Sequence, residues 1–225
     1  MPGTSYEEGL LELQEDVLYM SELVMERVRK GLNALEQKDT ELADELIDTD
    51  HEINQLYLDI ESDCIDLLRL HEPIASDFRL IAASFKIITD LERIGDLAVN
   101  LGEYTLQAEK DVFPEVDVQA LGDLALSMIE DAMAAYDAEN ADDCYAVAEQ
   151  DDELDALCER ASELVVRDLI ETELEANSDE EVEQLLQDVS RLLLTVRDLE
   201  RVGDHAVNIA ARTLYMIEND DELIY

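Results

Sequence analysis

Glycine and proline are scarce in this 225-residue chain, at 7 and 3 residues, and tryptophan is absent. So few turn formers exclude a turn-rich all-β protein. Aromatics reach only 5%, which also favours helices over strands. Lysine is nearly missing. Lys30, Lys38, Lys86 and Lys110 stand beside 11 arginines and 59 acidic residues, for a formal charge of −44. That balance repels phosphate backbones and disfavours direct contact with nucleic acid. Hydrophobic residues still make up 47% of the chain, enough for a sizeable core, so the acidity does not signal disorder. The length allows one large domain or two small ones.

Cysteine is rare too. Cys64, Cys144 and Cys158 make no disulfide framework. Cys144 and Cys158 on one helix would be separated by about 21 Å of rise, too far to bridge. They read as buried packing thiols. Residues 1–10 hold two acids and no basic stretch, unlike a signal peptide. The best apolar run, Leu80 to Ile88, is short and interrupted by Lys86, so no membrane insertion is expected and the cytoplasm is the expected location. Acid excess with little lysine resembles the halophilic proteins of microbes that keep molar salt in the cytoplasm. Charges repel over about 10 Å at 0.1 M salt but only about 3 Å at 1 M, so the fold is expected to need roughly molar salt. An acidic protein with an acidic or cation-rich partner surface is the other reading.

Apolar periodicity predicts six helices. The first follows a Thr4/Glu7 capping box, carries Leu10, Leu13, Val17, Met20 and Val24, and stops near Lys38-Asp39. The second carries Leu46, Ile53, Ile60 and Leu67 at sevenfold spacing and ends before Pro73. The third runs from about Ile74–Asp77 to Ala108 on Leu80, Ile87, Ile94 and Leu101. Val112 to Val118, holding Pro114, breaks the pattern. A fourth helix spans Val118 to Asn140 on Leu121, Leu124, Met128 and Ala132. A fifth, from Ala141, carries Val147, Leu154, Leu157, Ala161 and Leu164 and is broken at Ala176-Asn177. The last starts at a Ser178/Glu181 capping box and runs to about Asn219. The fold class is all-α, as two tandem three-helix bundles over residues 1–112 and 113–225.

Repetition is stronger than periodicity. Asp90-Leu-Glu-Arg-Ile-Gly-Asp-Leu-Ala-Val-Asn100 recurs 108 residues later as Asp198-Leu-Glu-Arg-Val-Gly-Asp-His-Ala-Val-Asn208, identical at nine of eleven positions. Asp50-His-Glu-Ile-Asn54 echoes in Asp151-Asp-Glu-Leu-Asp155, 101 residues on. A duplicated three-helix unit with a pseudo-twofold relation accounts for both.

Glu92, Asp96 and Asn100 lie four apart on one helix stripe, and Glu200, Asp204 and Asn208 repeat the arrangement. Such hard oxygen donors suit iron, manganese, magnesium or calcium, and zinc is disfavoured without thiolate or histidine clusters. His205 stands where Leu97 does in the first copy, so it is outside any shared ligand set. Spacing alone proves nothing, since 59 acids placed at random would give roughly 15 acidic i,i+4 pairs. The signal is the doubled string. Like charges four apart weaken a helix, and a cation between them would remove that cost. The alternative is that Glu92, Arg93, Asp96 and their copies only make ion pairs between helices. Gly95 and Gly203 cost their helices about 1 kcal/mol each, which close approach of another helix would explain. That helix would bring Asp50 and Asn54, or Asp151 and Asp155, to the stripe.

The doubled string, in a chain of this length, resembles the PhoU family of phosphate-uptake regulators. Pro73 to Arg79 is also similar to the family's lead-in to its third helix, without a good counterpart in the second half. The resemblance covers essentially the whole chain. It implies two three-helix bundles and negative regulation of a phosphate ABC transporter through protein contacts. The implied partners are the transporter's ATPase subunit and, in bacteria, a sensor kinase; a homodimer is also expected. It further implies multinuclear metal sites on Glu92 and Asp96 with Asp50, and on Glu200 and Asp204 with Asp151 and Asp155. Asn54 stands where the pattern prefers aspartate, so the first site is expected to be weaker. No organic cofactor is implied.

An enzyme is not expected. There is no phosphate loop or nucleophile elbow, and only His51, His71 and His205 could act as bases. The ferritin-like Glu-x-x-His pattern is missing as well. Two rival functions stay open: an accessory protein of a single-component phosphate permease, and a metal-binding helical scaffold.

Overall fold

The computed structural model describes residues 2–71, 73–107, 116–173 and 178–224, and shows no strand among them. Six helical legs form two three-helix bundles in tandem. The second leg is divided, so seven helices appear: α1 (Pro2–Gln37), α2 (Thr40–Asp48), α3 (Asp50–Leu70), α4 (Ala75–Gln107), α5 (Val118–Ala138), α6 (Ala141–Glu173) and α7 (Asp179–Glu218). The first bundle packs α1, the α2–α3 leg and α4 together; the second packs α5, α6 and α7. α4 lies along α7, and α1 meets α5, so the two bundles share one seam.

The sevenfold stripes become the core. Leu13, Val17, Met20, Val24, Ile53, Ile60, Ile87, Ile94 and Leu101 are all 2% exposed or less. Each such side chain contributes about 1.5–3 kcal/mol by leaving water, which offsets the mutual repulsion of the acidic surface. Cys64, Cys144 and Cys158 are free and buried, as packing thiols should be.

The repeat extends to the turns. Lys38 and Glu139, 101 residues apart, both take left-handed φ, 53° and 50°, and end α1 and α5. Asp39 then caps α2 by accepting from the amides of Glu41 and Leu42, and Asn140 accepts from that of Asp142. Ser178 caps α7 through the Glu181 amide, as its sequence predicts.

Two expectations need correction. α1 begins at Pro2, so Thr4 lies inside its first turn instead of ahead of it. The second predicted helix is interrupted at Thr49, whose hydroxyl bonds back to the Glu45 carbonyl. Buried Arg27 holds that interruption by donating to the carbonyls of Leu46 and Thr49, both at 2.8 Å. In the second half the equivalent position is Met128 and the equivalent helix α6 runs unbroken. Most of the expected Val112–Val118 boundary, and the Ala176-Asn177 break, lie outside the described residues.

Candidate functional site: two acidic patches and a polar seam

Duplication places two carboxylate groups at equivalent points of the two bundles, yet their chemistry differs. In the first, Asp50 at the start of α3 faces Glu92 and Asp96 on α4. Asn54 donates its amide to Asp50 at 2.8 Å. Arg93 sits 3.4 Å from Glu92 and 3.2 Å from Asp96, within its own helix rather than between helices. Burial, then Asp96, push Glu92 above the usual carboxylate range, and Arg93 opposes the shift. A cleft of about 320 Å3 opens beside this patch, lined by Asp50, Arg93, Asp96, Leu97, Asn100 and Arg201.

The second patch has no such compensation. Asp151 and Asp155 on α6 face Glu200 and Asp204 on α7. Burial pushes Asp151 up to about 6, with Asp155 and Asp204 the largest charged contributors. Burial, then Asp204 and Asp152, raise Asp155; burial, then Asp155 and Asp204, raise Glu200. Asp151 Oδ1 is buried without a hydrogen-bond partner. Arg201, the counterpart of Arg93, sits 3.9 Å from Asp198 instead. Gly203 makes this closeness possible: a Cβ there would lie 2.5 Å from Leu154 Cδ2 and 3.2 Å from Asp151 Oδ1. At Gly95 the nearest atom, Ile53 Cγ2, would be an ordinary 3.4 Å away. The expected close approach is therefore tight in one copy only.

The motif's asparagines do a different job from the carboxylates beside them. Asn100 donates across the seam to Asp198 at 2.9 Å, and Asn208 donates to Asp90 at 3.4 Å. The two bonds are reciprocal between the copies. Asp198 is fully buried and also accepts from Tyr104 at 2.7 Å and from Arg197 at 2.6 Å. Burial and that hydrogen bond push Tyr104 up to about 12. His205 Nδ1 lies 2.8 Å from Asp90 Oδ1, so His205 too belongs to the seam. Asp90 and Asp198 were absent from the sequence-predicted set, although each opens a copy of the repeated string.

Asp50, Asn54, Glu92 and Asp96 are thus brought together, as are Asp151, Asp155, Glu200 and Asp204, while Asn100 and Asn208 turn to the opposite bundle. Among the described residues no three His, Cys, Asp or Glu side chains are arranged to hold a metal ion as they stand. The donor chemistry of the second patch, all carboxylate with one oxygen orphaned, fits a hard cation. The first is already neutralised in part by Arg93 and Asn54.

Comparison with known proteins matches this duplicated architecture. The PhoU domain model matches residues 17–105 and again residues 118–213. The chain is 33% identical over 218 residues to a phosphate-specific transport system accessory protein PhoU homolog of Pseudomonas putida, covering 94% of this chain and 80% of that one. It is also 33% identical over 215 residues to the homolog of that name from Clostridium acetobutylicum, covering 94% of each. Crystal structures of PhoU from Streptococcus pneumoniae and Pseudomonas aeruginosa each superpose with a TM-score of 0.84, at 29% and 31% identity. Both cover 96% of this chain, and 98% and 100% of the respective crystal chains. With both repeats matched and the whole architecture shared, the chain belongs to the PhoU family.

Proposed function

We infer that this chain is an accessory regulator of phosphate transport that restrains a phosphate ABC transporter through contact with its ATPase subunit. As a member of the PhoU family it is a regulatory protein rather than an enzyme. No helix among the described residues is long and apolar enough to cross a membrane. The similarity to accessory proteins of phosphate-specific transport, over 94% of the chain, supports this reading over a metal-binding scaffold. A signalling kinase would be a second partner, and a homodimer the working assembly.

The cation reading rests on one observation, the partnerless Asp151 oxygen among four carboxylates. Asp151, Asp155, Glu200 and Asp204 would hold the ion, and Asp50, Glu92 and Asp96 a weaker one. The ion would supply positive charge that cancels repulsion between α6 and α7. The four carboxylates meet at a helix spacing that Gly203 permits.

The regulatory reading is tested by pull-down in molar salt from phosphate-replete and phosphate-starved extracts. The transporter ATPase should be recovered, in amounts that change with phosphate status. Recovery of a single-component phosphate permease instead would assign the chain to that system.

A further inference from the structure

The two copies of the repeated arginine do not behave as copies. Arg93 stays with its own carboxylates, Glu92 and Asp96. Arg201 leaves Glu200 and Asp204 uncompensated and lines the cleft beside the first patch instead, together with Arg93. α4 and α7 run antiparallel at the seam, where Asn100 meets Asp198 and Asn208 meets Asp90. That crossing brings both arginines to one site. Among the described residues Arg201 donates no hydrogen bond, and its one charge contact is Asp198 at 3.9 Å.

The cleft holds about 320 Å3, room for a tetrahedral ion and several waters at about 30 Å3 each. Arg93 and Arg201 balance Asp50 and Asp96, so its charged lining is neutral in a chain of charge −44. Molar salt cuts the reach of the surrounding charges to about 3 Å, which leaves contacts inside the cleft to decide what binds. The lining offers both kinds of partner. Arg201 has its whole guanidinium to give, and Arg93, with Nη1 on Asp96, keeps Nη2. Asp50 accepts from Asn54 on Oδ2 and Asp96 from Arg93 on Oδ2, so Oδ1 of each can still accept. Forked donors recognise an oxyanion. A carboxylate beside them accepts a hydrogen from that ion and repels an ion that has none.

We propose that this cleft binds inorganic phosphate, with Arg93 and Arg201 donating to its oxygens and Asp50 or Asp96 accepting its P–OH hydrogen. Phosphate keeps such a hydrogen at neutral pH. Sulfate keeps none and sets bare charged oxygens against both carboxylates. Phosphate monoesters share the tetrahedral group, but their second pKa is about 6, so at pH 8 they too have lost the hydrogen. The lining thus selects the free ion. Asp50 comes from α3, Arg93 and Asp96 from α4, and Arg201 from α7, so the bound ion touches both bundles. As a signal to a regulator of phosphate transport, this binding rests on the function inferred above; the chemistry of the cleft does not.

The test is equilibrium dialysis of radiolabelled phosphate against the full chain at pH 8 in molar potassium chloride. Chelator treatment comes first, so that no cation at Asp50 or Asp96 holds phosphate by itself. Phosphate should bind with a Kd of about 1 mM or tighter. Arsenate, which keeps its hydrogen, should compete; sulfate and adenosine monophosphate in excess should not. Arg201→Gln and Arg93→Gln should each weaken binding at least tenfold, with helicity by circular dichroism unchanged. Arg160→Gln, at an exposed arginine on α6, should leave binding as it is. Asp50→Asn combined with Asp96→Asn supplies amides that also donate, and should let sulfate compete. The proposal is overturned if phosphate does not bind, if both arginine variants bind as the parent does, or if sulfate or the nucleotide competes equally with the unaltered chain. Binding that appears only when a divalent cation is added overturns it as well. Recovery of the transporter ATPase by a chain that binds no phosphate would remove this ligand and leave the regulatory function standing; phosphate bound without such recovery would do the reverse.

Discussion

The two carboxylate patches began as copies of one sequence, and their divergence shows how a repeat can keep its framework while changing its electrostatics. Around Asp50 the chain supplies its own compensation: an amide from Asn54 and a guanidinium from Arg93. Around Asp151 it supplies neither, and the carboxyl rises to about 6. The backbone follows the same division. The first half interrupts its second leg at Thr49 and secures the break with Arg27, whereas α6 runs straight past the equivalent point. A polar clamp in one half is thus matched by a tight apolar contact in the other, Leu154 against Gly203. The first patch is settled within the protein; the second is left with unbalanced charge.

The seam offers the largest test of this asymmetry. Asp198 is fully buried with three donors, whereas the Asp90 side chain is 15% exposed and its bond from Asn208 is long, at 3.4 Å. Asp198→Ala should leave the Tyr104 hydroxyl and the Asn100 amide without their acceptor, while half-exposed Arg197 returns to water, and destabilise the fold by about 3 kcal/mol. Asp90→Ala should cost about 1 kcal/mol. Urea unfolding at matched m-values measures both. Equal losses would show that the reciprocal bonds carry equal weight and that the seam is symmetric after all.

Heptad spacing made the six legs, their core faces and the two-bundle plan legible, because burial of a helix stripe is a local property of sequence. The Ser178 cap was legible for the same reason. Arg27 was not: its acceptors lie 19 and 22 residues away, and nothing local marks a helix break that a distant guanidinium secures. Asn100 and Asn208 were assigned to the carboxylate stripe because i,i+4 spacing sets a face but not what that face meets. Their true partners, Asp198 and Asp90, head the repeated string, so the identity of both copies was the available signal. The difference between Gly95 and Gly203 lay in packing depth, which identical motifs do not reveal.

That packing difference predicts opposite outcomes for one substitution. Gly203→Ala pushes a methyl group onto Leu154, itself fully buried, and toward Asp151 Oδ1. Overpacking of about 1–3 kcal/mol outweighs the helix gain of about 1 kcal/mol, for a net loss of roughly 1 kcal/mol. Gly95→Ala meets only ordinary contact and should stabilise by about 0.5–1 kcal/mol. Thermal melts of the two variants check the pair. A stabilising Gly203→Ala would mean that Leu154 yields freely and that α6 is not held against α7 by this contact.

The finest test exchanges the one residue type that differs between the two carboxylate sets, Asn54 against Asp155. The Asp151 carboxyl, raised from an ordinary 3.8 to about 6, binds protons more tightly in the folded state. Its contribution to stability is therefore full below about pH 4 and is lost as pH rises through about 6. Asp155→Asn supplies an amide to Asp151 as Asn54 does to Asp50, so it should flatten that loss and stabilise the protein at pH 8 by about 0.5–1 kcal/mol. Asn54→Asp removes the amide from the first patch and should create a matching loss there. Urea unfolding at pH 4, 5, 6 and 8 reads both slopes. Manganese calorimetry in molar salt then reads the consequence, because ligand charge helps set affinity for hard cations. Asp155→Asn should weaken the tighter binding roughly tenfold, and Asn54→Asp should strengthen the weaker one. If the slopes exchange but manganese binds neither protein, the carboxylates tune stability alone. If neither the slopes nor the affinities move, the difference between Asn54 and Asp155 is not what distinguishes the two halves.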